Sequence, residues 1–271
     1  MRYSLMSGAG NLFVVVDAFV EAPPRDPASV ARAVCSEHGV VPRPDGLILV
    51  RPSARGADCA MEIYNADGSR PETCGNGIRC AAKLAVERGH VRGDTFTIET
   101  DAGLRGVHVG REGTAVARAR AQMGRARIVS PEEELVLGHD RLRCTSVDVG
   151  NPHCVLLVED ERTAPVERWG PAIARHPRFP SGTNVEFLAS RAGALHLRVW
   201  ERGVGETRAC GSGACAAATV AEARGLAFWP IHLELPGGTL EVDRDESGEL
   251  TLSGPVEELA TAEWREAPSL R

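Results

Sequence analysis

Short apolar runs, some alternating and some continuous, recur along the chain between clusters of Gly, Pro and Asp. Leu12–Val20, Leu47–Arg51 and Cys59–Tyr64 read as strands. Between the first two, Asp26-Pro27 supplies an N-cap and an N1 proline for a helix that runs to Gly39 as its stop. A second helix follows Cys74 and ends at Gly89, and strands are predicted at Thr95–Glu99, Leu104–Val109 and Ala115–Ala121. The second half repeats this order, with strands near Thr145–Val149 and Cys154–Val158 and a Pro-bounded helix within Ala164–Ala174. Strands Asn184–Leu188 and Leu195–Trp200 come next, then a helix ending at Gly225, then strands near Ile231–Leu235, Thr239–Val242 and Leu250–Leu252. This pattern predicts an α/β protein with two similar lobes.

A duplicated window strengthens that division. Cys74-Gly75-Asn76-Gly77-Ile78-Arg79-Cys80-Ala81-Ala82 and Cys210-Gly211-Ser212-Gly213-Ala214-Cys215-Ala216-Ala217-Ala218 stand half a chain apart. Each continues without a gap to a closing Arg-Gly, and each is preceded at the same step by an aromatic residue, Tyr64 or Trp200. If the halves pack with these windows facing each other, one thiol lies on each side of a shared cleft. Two opposed acid/base groups are what inversion of a carbon centre requires.

Composition narrows the classes. The 271 residues, 43% hydrophobic and 25% charged, suffice for one large or two ordinary domains with a real core. A net charge of −6 and dispersed arginines argue against nucleic-acid binding. Leu12–Val20 is too short to span a membrane and is followed by no small-residue cleavage site, so the expected compartment is the cytoplasm and no membrane partner is expected. There the eight cysteines should be reduced thiols, and none forms a Cys-x-x-Cys pair, so no metal site is expected. The single lysine, Lys83, falls within a predicted helix, whereas a pyridoxal-phosphate racemase needs a Schiff-base lysine at its site. Racemase chemistry here is therefore expected to need no cofactor.

The Cys-Gly-x-Gly segments carry that chemistry. A helix start leaves backbone N–H groups without intrahelical partners, and with the dipole they favour an anion. Glycine lets the backbone approach a ligand closely. A cysteine there is expected to have a lowered pKa, and the same amides can hold a carboxylate and stabilise charge developing on it. One thiolate would remove an α-proton while the opposite thiol returns a proton to the other face. The competing readings are a non-catalytic carboxylate binder and a redox pair in which Cys74 and Cys210 join as a disulfide.

These residues closely resemble the diaminopimelate epimerase family, the cofactor-independent enzymes of bacterial lysine and cell-wall synthesis. The matching stretches are Tyr64–Ser69 through Cys74–Cys80, Gly150-Asn151-Pro152-His153-Cys154, Asn184-Val185-Glu186-Phe187, and Trp200-Glu201-Arg202-Gly203 through Cys210–Cys215. They follow the family's order over essentially the whole chain. The resemblance implies two pseudo-symmetric α/β lobes, each a mixed sheet wrapped around a central helix, with the site in the cleft between them. It places residues 1–114 in the first lobe, joined by the tail 258–271, and residues 115–257 in the second. It implies interconversion of LL- and meso-diaminopimelate by Cys74 and Cys210, with Gly75, Asn76, Gly211 and Ser212 cradling the carboxylate at the reacting centre. Asn65, Asn151, Asn184 and Arg202 would read the distal amino-acid end, as Arg pairs bidentately with a carboxylate and Asn both donates and accepts. Glu201 and His153 would tune the thiols or orient the substrate, and Asn11 would bind from the opening motif. The resemblance further suggests a homodimer. The chain departs from the family's usual His-Gly-x-Gly-Asn-Asp-Phe at Ser7-Gly8-Ala9-Gly10-Asn11-Leu12-Phe13. A racemase or epimerase of another amino acid on the same scaffold is the alternative.

Overall fold

The computed structural model describes residues 1–71 and 74–265, so the last part of the predicted tail, 266–271, lies outside the described residues. It divides the chain into two compact units, one formed by residues up to Ala121 with those from Pro255 onward, the other by Gln122–Gly254. Each is a mixed α/β unit, described in turn.

The first unit contains β1 (Arg2–Gly8), β2 (Asn11–Asp17), α1 (Pro27–Val34), β3 (Gly46–Arg51), β4 (Cys59–Asn65) and α2 (Gly75–Glu87). Strands β5 (Thr95–Thr100), β6 (Gly103–Glu112) and β7 (Ala115–Gly124) follow. β1 to β7 neighbour one another in chain order, and β1 pairs on its other edge with the later residues of a long last strand. α2 packs against β1, β2, β3, β4 and β6 and is buried from Gly75 to Val86. Its shell is apolar: Val15, Ile48, Ile63, Ile98, Val107 and Val109 close around Ile78, Ala81, Leu84 and Ala85. A helix enclosed on all sides needs small or apolar residues around its whole girth, and this one has them. Asn76, Arg79 and Lys83 are its buried polar exceptions, and Lys83 lies furthest along the helix. Its Nζ is buried, 2.8 Å from Glu87 Oε1 and 2.7 Å from the Val116 carbonyl, which satisfies its charge inside the shell.

The second unit contains β8 (Arg127–Leu137), β9 (Asp140–Asp148), β10 (Pro152–Val158), α3 (Val166–Ala174), β11 (Asn184–Arg191) and β12 (Ala194–Glu201). It continues with β13 (Gly205–Thr207), α4 (Gly211–Ala223), β14 (Ile231–Leu235), β15 (Gly238–Arg244) and the start of β16 (Leu250–Glu263). The strand order is β8–β9–β10–β11–β12–β14–β15–β16, with β13 on β12. α4 takes the enclosed position and contacts β9, β10, β11, β12, β14 and β15. Its run of small buried residues, Ala214-Cys215-Ala216-Ala217-Ala218, lets the surrounding sheet approach closely.

Several elements differ from the sequence expectation, which contains neither β1 nor the short β13. The helix begun at Pro27 ends at Val34, with Cys35 as C-cap, well short of Gly39. A Cβ on Gly39 would stand 2.2 Å from the Val34 carbonyl oxygen, so this glycine serves a close turn beyond the helix end. β8 carries Pro131 and a run of three glutamates, which hide its strand character. It is an edge strand, and its register shifts between Ser130 and Glu133, where a proline costs no ladder bond. β16 runs well past Leu252: Val256–Glu263 pair with β1, and their exposed acidic residues masked the pattern. Among the described residues, no helix is long and apolar enough to cross a membrane.

Candidate active site

In the first unit, β4 ends at Asn65 and the chain returns to begin α2 with Cys74 as N-cap. Cys74 has extended backbone (φ −145°, ψ 96°), and its Sγ accepts the Gly77 N–H at 3.2 Å. The thiol therefore takes up one of the amides a helix start leaves open. Asn76 lies one residue into the helix and is buried. Its Nδ2 donates to Asn11 Oδ1 (2.6 Å), and Asn11 Nδ2 donates in turn to Asp45 Oδ2 (3.1 Å). Arg79, fully buried, donates to Asn76 Oδ1 (2.8 Å) and to the Gly75 carbonyl (2.9 Å). The first turn of α2 is thus tied to the β1–β2 hairpin by side chains that span the unit. Gly8 permits it: a Cβ there would lie 2.5 Å from the Asn76 carbonyl oxygen.

This network accounts for the departure in the opening motif. Ser7 Oγ accepts the Gly10 N–H (3.2 Å), which steadies the turn at Ala9-Gly10. Asp45 Oδ2, from the loop before β3, accepts both the Leu12 N–H (2.8 Å) and the Asn11 side chain. A carboxylate reaches the motif from another part of the chain. Asn65 stands apart from this set; its Nδ2 donates to Ser69 Oγ (2.9 Å) in the loop that follows β4.

In the second unit, the parallel pairing of β10 with β11 puts His153 beside Asn184, and antiparallel β12 brings its end, Glu201, to the same edge. Cys210 caps α4 from extended backbone (φ −131°, ψ 119°) without itself accepting a helix amide. Its Sγ lies 3.6 Å from Ser212 Oγ. Asn184 Oδ1 accepts the Arg202 backbone N–H (2.9 Å), and the Arg202 guanidinium donates to the Ser181 carbonyl (2.6 Å). Gly182 makes room for that side chain, since at φ +74° it carries no Cβ that would stand 2.7 Å from Arg202 Cδ. Glu201 Oε1 accepts the Thr207 hydroxyl (2.6 Å).

The electrostatics of this unit correct one expectation. The Cys210 thiol is pushed well above its ordinary value, first by burial, then by the Glu201 and Glu186 carboxylates. A helix start favours thiolate, but desolvation and two like charges outweigh it here. Glu201 is pushed up as well, mainly by burial. Replacing Glu201 by Gln removes a negative charge that opposes thiolate formation, so the Cys210 pKa should fall. Iodoacetamide labelling of Cys210, followed by peptide mass spectrometry at about pH 8, should then run faster in Glu201→Gln than in the parent. An unchanged rate would mean that burial alone holds the thiol.

Two residues of these networks were not singled out from the sequence. Glu186 is wholly buried, with Oε1 2.7 Å from His153 Nδ1, and Asp45 anchors Asn11. The signal for Glu186 was a lone acidic residue inside the apolar run Asn184–Leu188; for Asp45 there was none beyond its place before a strand. Among the described residues, no three His, Cys, Asp or Glu side chains are grouped to hold a metal ion.

The fold of this chain recurs in solved structures of racemases, epimerases and phenazine biosynthesis proteins. The chain is similar to a solved hydroxyproline epimerase from Agrobacterium vitis (TM-score 0.70, 16% identity, 97% of this chain and 91% of that one). It is also similar to a phenazine biosynthesis protein of the PhzF family from Bacillus anthracis (TM-score 0.76, 15% identity, 98% of each chain). Identities this low establish the fold. The family follows from sequence: the diaminopimelate epimerase pattern matches residues 3–129 and 145–258. A diaminopimelate epimerase of Desulforudis audaxviator is 41% identical over 97% of this chain and 99% of its own length. That of Desulfitobacterium hafniense is 40% identical over 94% and 95%. The chain belongs to the diaminopimelate epimerase family, and is an isomerase of the epimerase class.

Proposed function

We propose that the chain interconverts LL- and meso-2,6-diaminopimelate, with Cys74 and Cys210 as the two acid/base groups. The observation that carries the reading is the matched pair of helix starts, each with a cysteine N-cap followed by Gly-x-Gly. In one direction a thiolate takes the α-proton, and the electron pair left on carbon is delocalised into the adjacent carboxylate. Backbone N–H groups of Gly75-Asn76 and Gly211-Ser212 are suited to stabilise that charge. The other thiol then delivers its proton to the opposite face and becomes the thiolate, so the reverse reaction uses the same pair with roles exchanged. The raised pKa of Cys210 suits it to hold a proton for delivery, with Glu201 beside it to exchange one.

Asn65, Asn151, Asn184 and Arg202 have the chemistry to read the distal amino-acid group, and Asn11 binds from the opening motif, hydrogen-bonded to Asn76 of the carboxylate cradle. The enzyme so read works on a small amino acid in the cytoplasm, as a homodimer, without a bound cofactor. Proton NMR in D2O, under reducing conditions with LL-diaminopimelate and no additions, tests the reading. Loss of the α-proton signal with appearance of the meso isomer is expected. A folded, reduced protein that exchanges no α-proton would overturn it.

A further inference from the structure

Behind Asn151 stands a buried relay of His153 and Glu186. His153 and Glu186 are both wholly enclosed, with His153 Nδ1 2.7 Å from Glu186 Oε1. The other ring nitrogen, Nε2, lies 3.0 Å from Asn151 Oδ1. A Cβ on Gly213 would come within 2.8 Å of Glu186 Oε1, so the first turn of α4 closes over the carboxylate. We propose that Glu186 is a positioning residue that acts through His153 to fix which end of the Asn151 side-chain amide is offered to the substrate. The inference rests on the reading above, in which Asn151 contacts the distal amino-acid group.

Proton accounting carries it. Three arrangements leave the enclosed pair neutral overall: ionised Glu186 against a doubly protonated ring, Glu186 donating from Oε1 to Nδ1 of a ring whose hydrogen is on Nε2, or Glu186 protonated on Oε2 with Oε1 accepting from Nδ1–H. The last buries a hydroxyl without an acceptor, since Glu186 Oε2 has no hydrogen-bond partner. The first two place a hydrogen on Nε2. The fourth arrangement, ionised Glu186 against a ring protonated only at Nδ1, leaves an unbalanced negative charge in the interior. That is costly, because among the described residues the titratable groups facing the pair, Glu201 from β12, the Cys210 thiol from α4 and the Cys154 thiol on β10, bring no cation to balance it. Burial also favours the neutral form of Glu186. With a hydrogen on Nε2, the ring donates to Asn151 Oδ1. The carbonyl end of the amide is thereby engaged, and its NH2 end is free to donate, which is the polarity a carboxylate requires.

The test compares Glu186→Met and Glu186→Gln, both checked for folding by circular dichroism. In Glu186→Met the ring loses its anchor and can present a bare Nε2, so Asn151 can turn. KM for diaminopimelate should rise about tenfold or more at about pH 8, with a smaller change in kcat. In Glu186→Gln the amide can donate to Nδ1 and keep the hydrogen on Nε2, so KM should stay within about threefold of the parent. Nitrogen-15 NMR of histidine-labelled parent protein should show His153 protonated at Nε2. A folded Glu186→Met with parental KM, or a bare Nε2 in the parent, would overturn the proposal. If the parent fails to turn over diaminopimelate, the proposed function falls, while the nitrogen assignment still decides the relay.

Discussion

Cys210→Ala is expected to lower kcat for epimerisation by about a thousandfold, and Cys74→Ala to do the same, with the fold intact. The magnitude follows from the contribution of a positioned acid or base, about 10² to 10⁴ in rate. Inversion needs one group on each face, so either thiol left alone cannot complete it. The fold should survive because the helix that each cysteine caps is enclosed by the strands of its own unit. Cys210 Sγ lies 3.6 Å from Ser212 Oγ, and its helix is held by the sheet around it. Cys74 gives up one cap bond to Gly77, a loss of about 1 kcal/mol. Optical assay of the LL-to-meso conversion, alongside thermal melts, measures both effects. Substantial turnover by either variant would end the two-thiol mechanism.

Arg202→Lys should raise KM for diaminopimelate about a hundredfold, with kcat much less affected. A guanidinium offers two parallel N–H donors to a carboxylate, and an ammonium on a flexible stem does not reproduce that fork. The structure adds a second reason. Arg202 is held by its donation to the Ser181 carbonyl (2.6 Å) and by Gly182 against its stem, so the group is placed before any ligand arrives. A lysine would have to be ordered on binding. Steady-state kinetics on the variant separate KM from kcat. A parental KM would remove Arg202 from the distal subsite.

The local parts of this design were legible in the chain. Cys-Gly-x-Gly ahead of an Ala-rich run announces a helix start wherever it occurs, because capping and glycine conformation depend on neighbours a few residues away. α2 and α4 begin immediately after Cys74 and Cys210 for that reason. The apolar runs of β2, β3, β4 and β10 to β12 likewise show in sequence because each is buried on at least one face. β8 and the far half of β16 escaped notice because edge and exposed strands carry charge instead of an apolar pattern.

Sequence by itself determined the duplicated frame, the two capped helix starts, the family, and the residue types that address an amino acid. The tertiary structure decided which of these groups answer to one another. Asp45 reaches Asn11 across the first unit, and Glu186 finds His153 only because β10 and β11 pair in parallel register. The protonation of Cys210 belongs to the same class. A helix start taken alone predicts a thiolate, but burial and the two carboxylates brought beside it hold the proton in place. Local propensity is written in adjacent residues; desolvation and charge pairing depend on distances that only the folded chain sets.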